Sequence, residues 1–108
     1  MNLKIKSLFN RYGYFLCTGY EPGTGKYSGM IGSLLCESKC GKVKFSVGSG
    51  LKDHERALDP KEFINRVIEV SYNQLIKSRG KDTLSLFLPI YKAVRYDKLF
   101  ANTLEELK

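Results

Sequence analysis

Apolar and polar positions alternate most regularly between Lys42 and Val47. Val43, Phe45 and Val47 take one side, and Lys42, Lys44 and Ser46 take the other. A period of two predicts a strand with one buried face. Upstream, Tyr14 to Tyr20 is a short aromatic and aliphatic run ending in the turn cluster Glu21-Pro22-Gly23-Thr24-Gly25, and Met30 to Glu37 is a second apolar run. Both predict strands. Ser38-Lys39-Cys40-Gly41 predicts a tight hairpin turn, with Gly41 taking positive φ.

Gly48-Ser49-Gly50 closes the third strand, and the polar stretch Lys52 to Arg56 leads into Asp59-Pro60-Lys61-Glu62. An N-cap Asp59, a proline at the first helical position and a capping-box Glu62 predict a short helix to about Arg66, with Phe63 and Ile64 turned inward. Ile68, Val70 and Tyr72 then alternate with Glu69, Ser71 and Asn73 as a fourth strand. After the basic turn Lys77-Ser78-Arg79-Gly80-Lys81, Leu84, Leu86 and Leu88 begin a fifth strand that runs toward Arg95. Pro89 has no donor and marks a strand edge or bulge there. Residues 103–108 predict a frayed last helical turn.

Three strands, a short helix and two strands is the order of the OB-fold, an all-β, five-stranded Greek-key barrel with its helix between strands 3 and 4. An SH3-like barrel stays open, because strand count does not settle strand order. Oligonucleotides lie across the second and third strands of an OB-fold, flanked by the first and last hairpin loops. Lys39, Lys42 and Lys44 fall on the second hairpin, Lys77, Arg79 and Lys81 on the last loop, and Lys26 on the first. These are the candidate nucleic-acid contacts.

Composition agrees with that reading. The 108 residues suffice for one domain, and 18 Lys and Arg against 11 Asp and Glu give a net charge of +7. Such an excess attracts polyanions, because each cation placed on a phosphate releases a condensed counterion. No apolar run approaches the length of a membrane span, and Met1 to Lys6 alternates apolar and charged residues, unlike a secretory signal. A monomeric cytoplasmic protein without a membrane partner is expected.

Little in the chain points to chemistry. Cys17, Cys36 and Cys40 are expected as reduced thiols in core or strand positions, with no ligand set for a metal. His54 is the single histidine, which leaves a Ser–His–Asp or Cys–His device without support. Gly23-Thr24-Gly25-Lys26-Tyr27 fails as a phosphate loop, since Tyr20 and Tyr27 stand where Gly and Ser or Thr are required. Phe45 and Tyr72 are expected in the core, whereas Tyr14, Tyr20 and Tyr27 are candidates for exposure and base stacking.

The run Gly19 to Leu34, Cys40-Gly41-Lys42-Val43-Lys44 and the Val47-Gly48-Ser49-Gly50-Leu51 turn resemble the OB domain of ATP-dependent DNA ligases. Leu86-Phe87-Leu88-Pro89-Ile90, followed by Arg95-Tyr96-Asp97-Lys98 and Ala101-Asn102-Thr103, is similar to the carboxy-terminal segment of bacteriophage ligases. The resemblance implies that Arg95 and Lys98, in the family's Arg-x-Asp-Lys motif, engage the β and γ phosphates of ATP. Two cations there would stabilise charge as pyrophosphate departs. As phosphate ligands they are expected in a mobile, exposed segment, unpaired with acidic neighbours. Leu3-Lys4-Ile5-Lys6 resembles the preceding family motif, which implies that Lys4 and Lys6 contact the α-phosphate. Residues 1–9 are thus expected to be the remnant of the last nucleotidyltransferase strand, and 10–108 the OB domain.

The chain departs from the family in one large respect. The adenylylated lysine belongs to a Lys-x-Asp-Gly motif, and no Asp-Gly dipeptide occurs in these residues. Without that amine no lysyl-AMP can form, so no autonomous activity is expected. ATP and Mg2+ enter only in the context of a complete ligase. The resemblance implies a DNA-binding module that contacts nicked duplex from the minor groove and contributes to nick sealing in replication, repair and recombination. A separate nucleotidyltransferase chain would supply the nucleophile. Two alternatives stand beside it: a free-standing OB protein for single-stranded nucleic acid, and a folded remnant without a role.

Overall fold

The structure, a computed structural model, describes residues 11–78, 80, 82–98 and 100–107. Its longest strand, β1 (Arg11–Pro22), turns Gly13, Phe15 and Cys17 inward. β1 pairs antiparallel with β2 (Ile31–Glu37) and, on its other edge, with β4 (Val67–Tyr72). The β1–β2 register shifts between Cys17 and Gly19, and such a bulge bends a strand. β3 (Lys44–Val47) pairs with β2, placing Lys44 opposite Glu37 and Phe45 opposite Cys36. The hairpin between them turns as expected, with Gly41 at φ 74° and its N–H donating to Ser38 O at 3.0 Å.

The predicted helix between the third and fourth strands takes another form. A four-residue helix, α1 (Asp53–Arg56), precedes a 3-10 turn at Pro60–Glu62. Asp59 does cap that turn, its side chain accepting from the Lys61 N–H at 3.0 Å. The helix stops because Asn65 adopts φ 67° and the chain joins the sheet. Asn65 N–H donates to Cys17 O at 2.7 Å, and Cys17 N–H donates to Arg66 O at 2.9 Å. Phe63 is buried, as expected, and Ile64 is half-buried.

The fifth strand is broken in two. β5 (Gln74–Lys77) and β6 (Leu84–Phe87) form a separate hairpin, and β7 (Ile90–Val94) pairs antiparallel with β4. The break falls at Leu88, whose φ is 57°, and at Pro89, which cannot donate to a ladder. One sheet therefore runs β3-β2-β1-β4-β7. Val43 and Leu84 make a parallel bridge, with Leu84 N–H donating to Lys42 O at 2.8 Å. That bridge brings the fifth strand back to the third, giving the five-stranded OB topology rather than an SH3-like one.

Inside, the Phe15 ring meets Phe45 edge-on at 4.8 Å and Tyr72 at 6.4 Å. Such pairs add about 0.5–1.5 kcal/mol to the gain from burial. The expected last helical turn is present at Leu104–Leu107. α2 (Leu104–Leu107) docks buried Leu107 over Gly13, where any Cβ would strike its methyl. Cys17 and Cys36 are buried free thiols, whereas Cys40 lies exposed in the hairpin turn, not in a core or strand position. No helix among the described residues is long and apolar enough to cross a membrane.

Candidate nucleic-acid interface

Each hairpin lysine among the described residues sits where local structure turns it outward. In β3 the alternation that buries Val43, Phe45 and Val47 exposes Lys42 and Lys44. Lys26 is exposed in the 3-10 segment Gly25–Tyr27, its Nζ 5.1 Å from the Tyr27 ring. Lys39 is exposed in the hairpin turn, its Nζ 4.5 Å from the Phe100 ring. Lys77 is exposed at the end of β5, directly opposite Leu84 of β6. Arg79, Lys81, Lys4 and Lys6 lie outside the described residues, as does the expected remnant strand 1–9.

The Val43–Leu84 bridge decides which of these residues meet. It places Lys42 and Lys44 on one side of a seam, with Lys77 across the β5–β6 hairpin on the other. The two basic hairpins, distant in sequence, thereby share one edge. Beyond Lys44 the outer face of β1, β2 and β3 is mixed in charge, because Glu37 and Glu21 line the same shallow concavity. Neither β2 nor β3 exposes an aromatic ring, since Phe45 points into the core.

At its far end the seam is apolar. β6 runs parallel to β3, so three residue steps, roughly 10 Å, separate the basic edge from Phe87. Phe87 and Leu88 are 43% and 48% exposed at the corner before Pro89. The two adjoining side chains form a small apolar patch at the backbone break. Pro89 marks a strand edge or bulge here, as the break confirms, but the pattern of leucines does not show that Phe87 and Leu88 are left exposed.

The second group of cations gathers on the outer side of β1 and β4. Arg95 follows β7, and its N–H donates to Val67 O at 2.8 Å. Its guanidinium donates from Nη1 to Glu69 Oε1 at 2.8 Å, and from Nε and Nη2 to the two oxygens of Asp97 at 3.1 and 3.0 Å. Asp97 and Glu69 together strengthen its hold on the proton, and those hydrogen bonds in turn keep the Asp97 carboxyl below its usual range. The expectation of an Arg95 without acidic partners is therefore corrected. Glu69 projects outward from β4 and Asp97 lies two residues after Arg95, so both carboxylates meet the same fork. Lys98 is exposed, with Nζ 4.5 Å from the Tyr14 ring. Neither cation is buried inside the barrel.

Tyr20 is exposed, whereas Tyr14 and Tyr27 are half-buried beneath cations. Arg56 stacks its guanidinium 4.3 Å from Tyr27 and donates to Ile31 O, Gly32 O and Gly48 O. That arrangement fastens the first loop to the start of β2. Lys26, Lys39, Lys42, Lys44, Lys77 and Lys98 thus carry exposed charges, whereas Arg95 is half-buried and already donates to Glu69 and Asp97.

A family model described as DNA ligase OB-like domain matches residues 22–95. The DNA ligases of Enterobacteria phages T4 and T6 are each 40% identical over 88 residues, covering 70% of this chain and 18% of theirs. The chain therefore spans about a fifth of the length of these curated relatives. Among solved structures, Pmar-Lig_PreS3 superposes with a TM-score of 0.70 at 27% identity, over 78% of this chain and 21% of that one. A structure described as "DNA binding with a minimal scaffold: Structure-function analysis of Lig E DNA ligases" superposes at 0.64 and 26% identity, over 79% of this chain and 30% of that one.

Proposed function

The chain belongs to the DNA ligase OB-like domain family, and from that membership we propose that it is the DNA-gripping module of an ATP-dependent ligase, acting on nicked duplex. The observation that carries this reading is the Val43–Leu84 bridge, which gathers Lys42, Lys44 and Lys77 on one edge. Cations so placed can follow the phosphates of a duplex without reading its sequence. The exposed Phe87–Leu88 corner at the other end of the seam suits a minor groove, where apolar side chains press against base steps. Single-strand binding by an OB surface relies on stacked aromatics, and β2 and β3 offer none.

Arg95 and Lys98 would receive the β and γ phosphates of ATP during adenylylation. Phosphate oxygens would then take over the hydrogen bonds that Glu69 and Asp97 now accept from Arg95. Lys4 and Lys6 would serve the α-phosphate. The nucleophilic lysine and the carboxylates for Mg2+ would come from a nucleotidyltransferase domain, since no Asp-Gly dipeptide occurs in these 108 residues. The module's own part is to bind, orient and neutralise.

The test is complementation. A ligase nucleotidyltransferase domain lacking its OB domain is mixed with this chain, and joining of a nicked duplex is followed. Restored joining supports the proposal. If joining stays at the level of the truncated domain alone, while the chain binds single strands more tightly than nicked duplex, a binding protein takes its place.

A further inference from the structure

Arg95 and Lys98 do not hang free in the tail: Glu69 and Asp97 hold Arg95, and one residue of β1 touches both cations. The Tyr14 ring lies 5.3 Å from Arg95 Cζ and 4.5 Å from Lys98 Nζ, so both charges lie against one aromatic ring. Its hydroxyl accepts from Arg95 Nη1 at 3.4 Å. The Tyr14 backbone is tied to the same segment a few residues on: its N–H donates to Asn102 Oδ1, and its carbonyl accepts from the Asn102 N–H, both at 2.7 Å. Tyr12 supports the ring edge-on at 6.3 Å. Across the sheet, Tyr14 is in register with Glu69, the carboxylate that holds Arg95.

We propose that Tyr14 is a positioning residue that presets Arg95 and Lys98 as a pair for two linked phosphates. The proposal rests on the reading of those cations as phosphate ligands given above. Two long cationic side chains in water repel each other and sample many rotamers. Bringing both to one ligand would normally sacrifice that freedom on binding. A ring whose face attracts both cations removes part of that loss beforehand, and the Asn102 tie keeps the segment carrying them on β1. The ligand class that such a pair fits is a pyrophosphate or the tail of a nucleoside triphosphate.

The test is an NMR titration of the isotope-labelled chain with inorganic pyrophosphate at constant ionic strength, comparing Tyr14→Phe and Tyr14→Leu with the unaltered protein. Phe keeps the ring and should bind within about twofold of the original. Leu removes it and should bind about five- to tenfold more weakly, with the Arg95 Nε–H signal shifted before ligand is added. Duplex-DNA affinity of the Leu variant should remain within about twofold, because Lys44 and Lys77 stand on strands that do not pair with β1; a general loss of structure would lower both affinities. Equal pyrophosphate binding by the Leu variant, or parallel loss of pyrophosphate and DNA binding, would overturn the proposal. If the Leu variant does not fold, Asn102→Ala loosens the same tie: weakening of at least about threefold supports the proposal, and no change overturns it. Absence of binding by the unaltered chain would overturn the phosphate reading itself, and this inference with it.

Discussion

Nη1 of Arg95 lies 2.8 Å from Oε1 of Glu69, so the guanidinium that would meet a phosphate already holds a carboxylate. The pair is partly exposed, at 31% and 25% for the two side chains. Glu69→Gln should therefore cost under about 1 kcal/mol of stability, as expected for a screened surface pair. Pyrophosphate should bind the variant about two- to fivefold more tightly, since it no longer competes with a charge. Chemical denaturation and calorimetric titration measure the two effects. Weaker pyrophosphate binding by this variant would mean that Glu69 orients Arg95 rather than competing for it.

Leu88, at φ 57°, adopts a conformation that glycine accepts more readily. In Leu88→Gly, relief of roughly 1 kcal/mol of strain is offset by the added freedom of the unfolded chain. Stability should consequently change by less than about 1 kcal/mol. Duplex affinity should nevertheless fall by about threefold or more as the apolar corner is removed. Denaturation and fluorescence anisotropy separate these effects, and undiminished DNA binding would exclude the corner from the interface.

Arg56 donates to three backbone carbonyls, at 3.1, 2.7 and 2.8 Å, drawing Ile31, Gly32 and Gly48 together. Replacing it with Met leaves those acceptors without their charged donor. A loss of about 3 kcal/mol in a denaturation experiment is expected. A loss below about 1 kcal/mol would show that water serves the carbonyls equally well.

Cys40 is the thiol set for reaction. The Ser38 hydroxyl, then the backbone N–H groups of Leu104 and Lys42, lower its pKa to about 7, whereas Cys17 and Cys36 are buried. A disulfide reagent should consume one thiol rapidly, with a rate that rises through pH 7, and Cys40→Ser should abolish that phase. Because the folded thiol is the stronger acid, its contribution to stability is complete above the ordinary value of 9.0 and is lost as pH falls through about 7. Three equally fast thiols would contradict the packing of β1 against β2.

Legibility followed the number of buried faces. Val43, Phe45 and Val47 read correctly because only one register hides all three, and Ile68, Val70 and Tyr72 read correctly for the same reason. α1 is four polar residues without apolar periodicity, held by contacts that Arg56 makes with distant carbonyls. Gln74 to Lys77 resembled the approach to a basic turn, and only pairing with Leu84 to Phe87 makes it a strand. The identities of the exposed lysines were legible from alternation. Of the partners of Arg95 only Asp97 stands near it in sequence; Glu69 reaches it across the sheet from 26 residues away, and Tyr14 from 81.

The most direct measurement is an anisotropy titration of nicked duplex, intact duplex and single strand between about 50 and 200 mM salt. Nicked duplex should bind most tightly, with a dissociation constant on the order of 10⁻⁴ to 10⁻⁶ M that weakens steeply with salt. Lys42→Ala and Lys44→Ala should each lower the salt slope by about one phosphate contact. A preference for single strands, or a salt slope that neither substitution changes, would contradict a duplex grip built on the edge where the two basic hairpins meet.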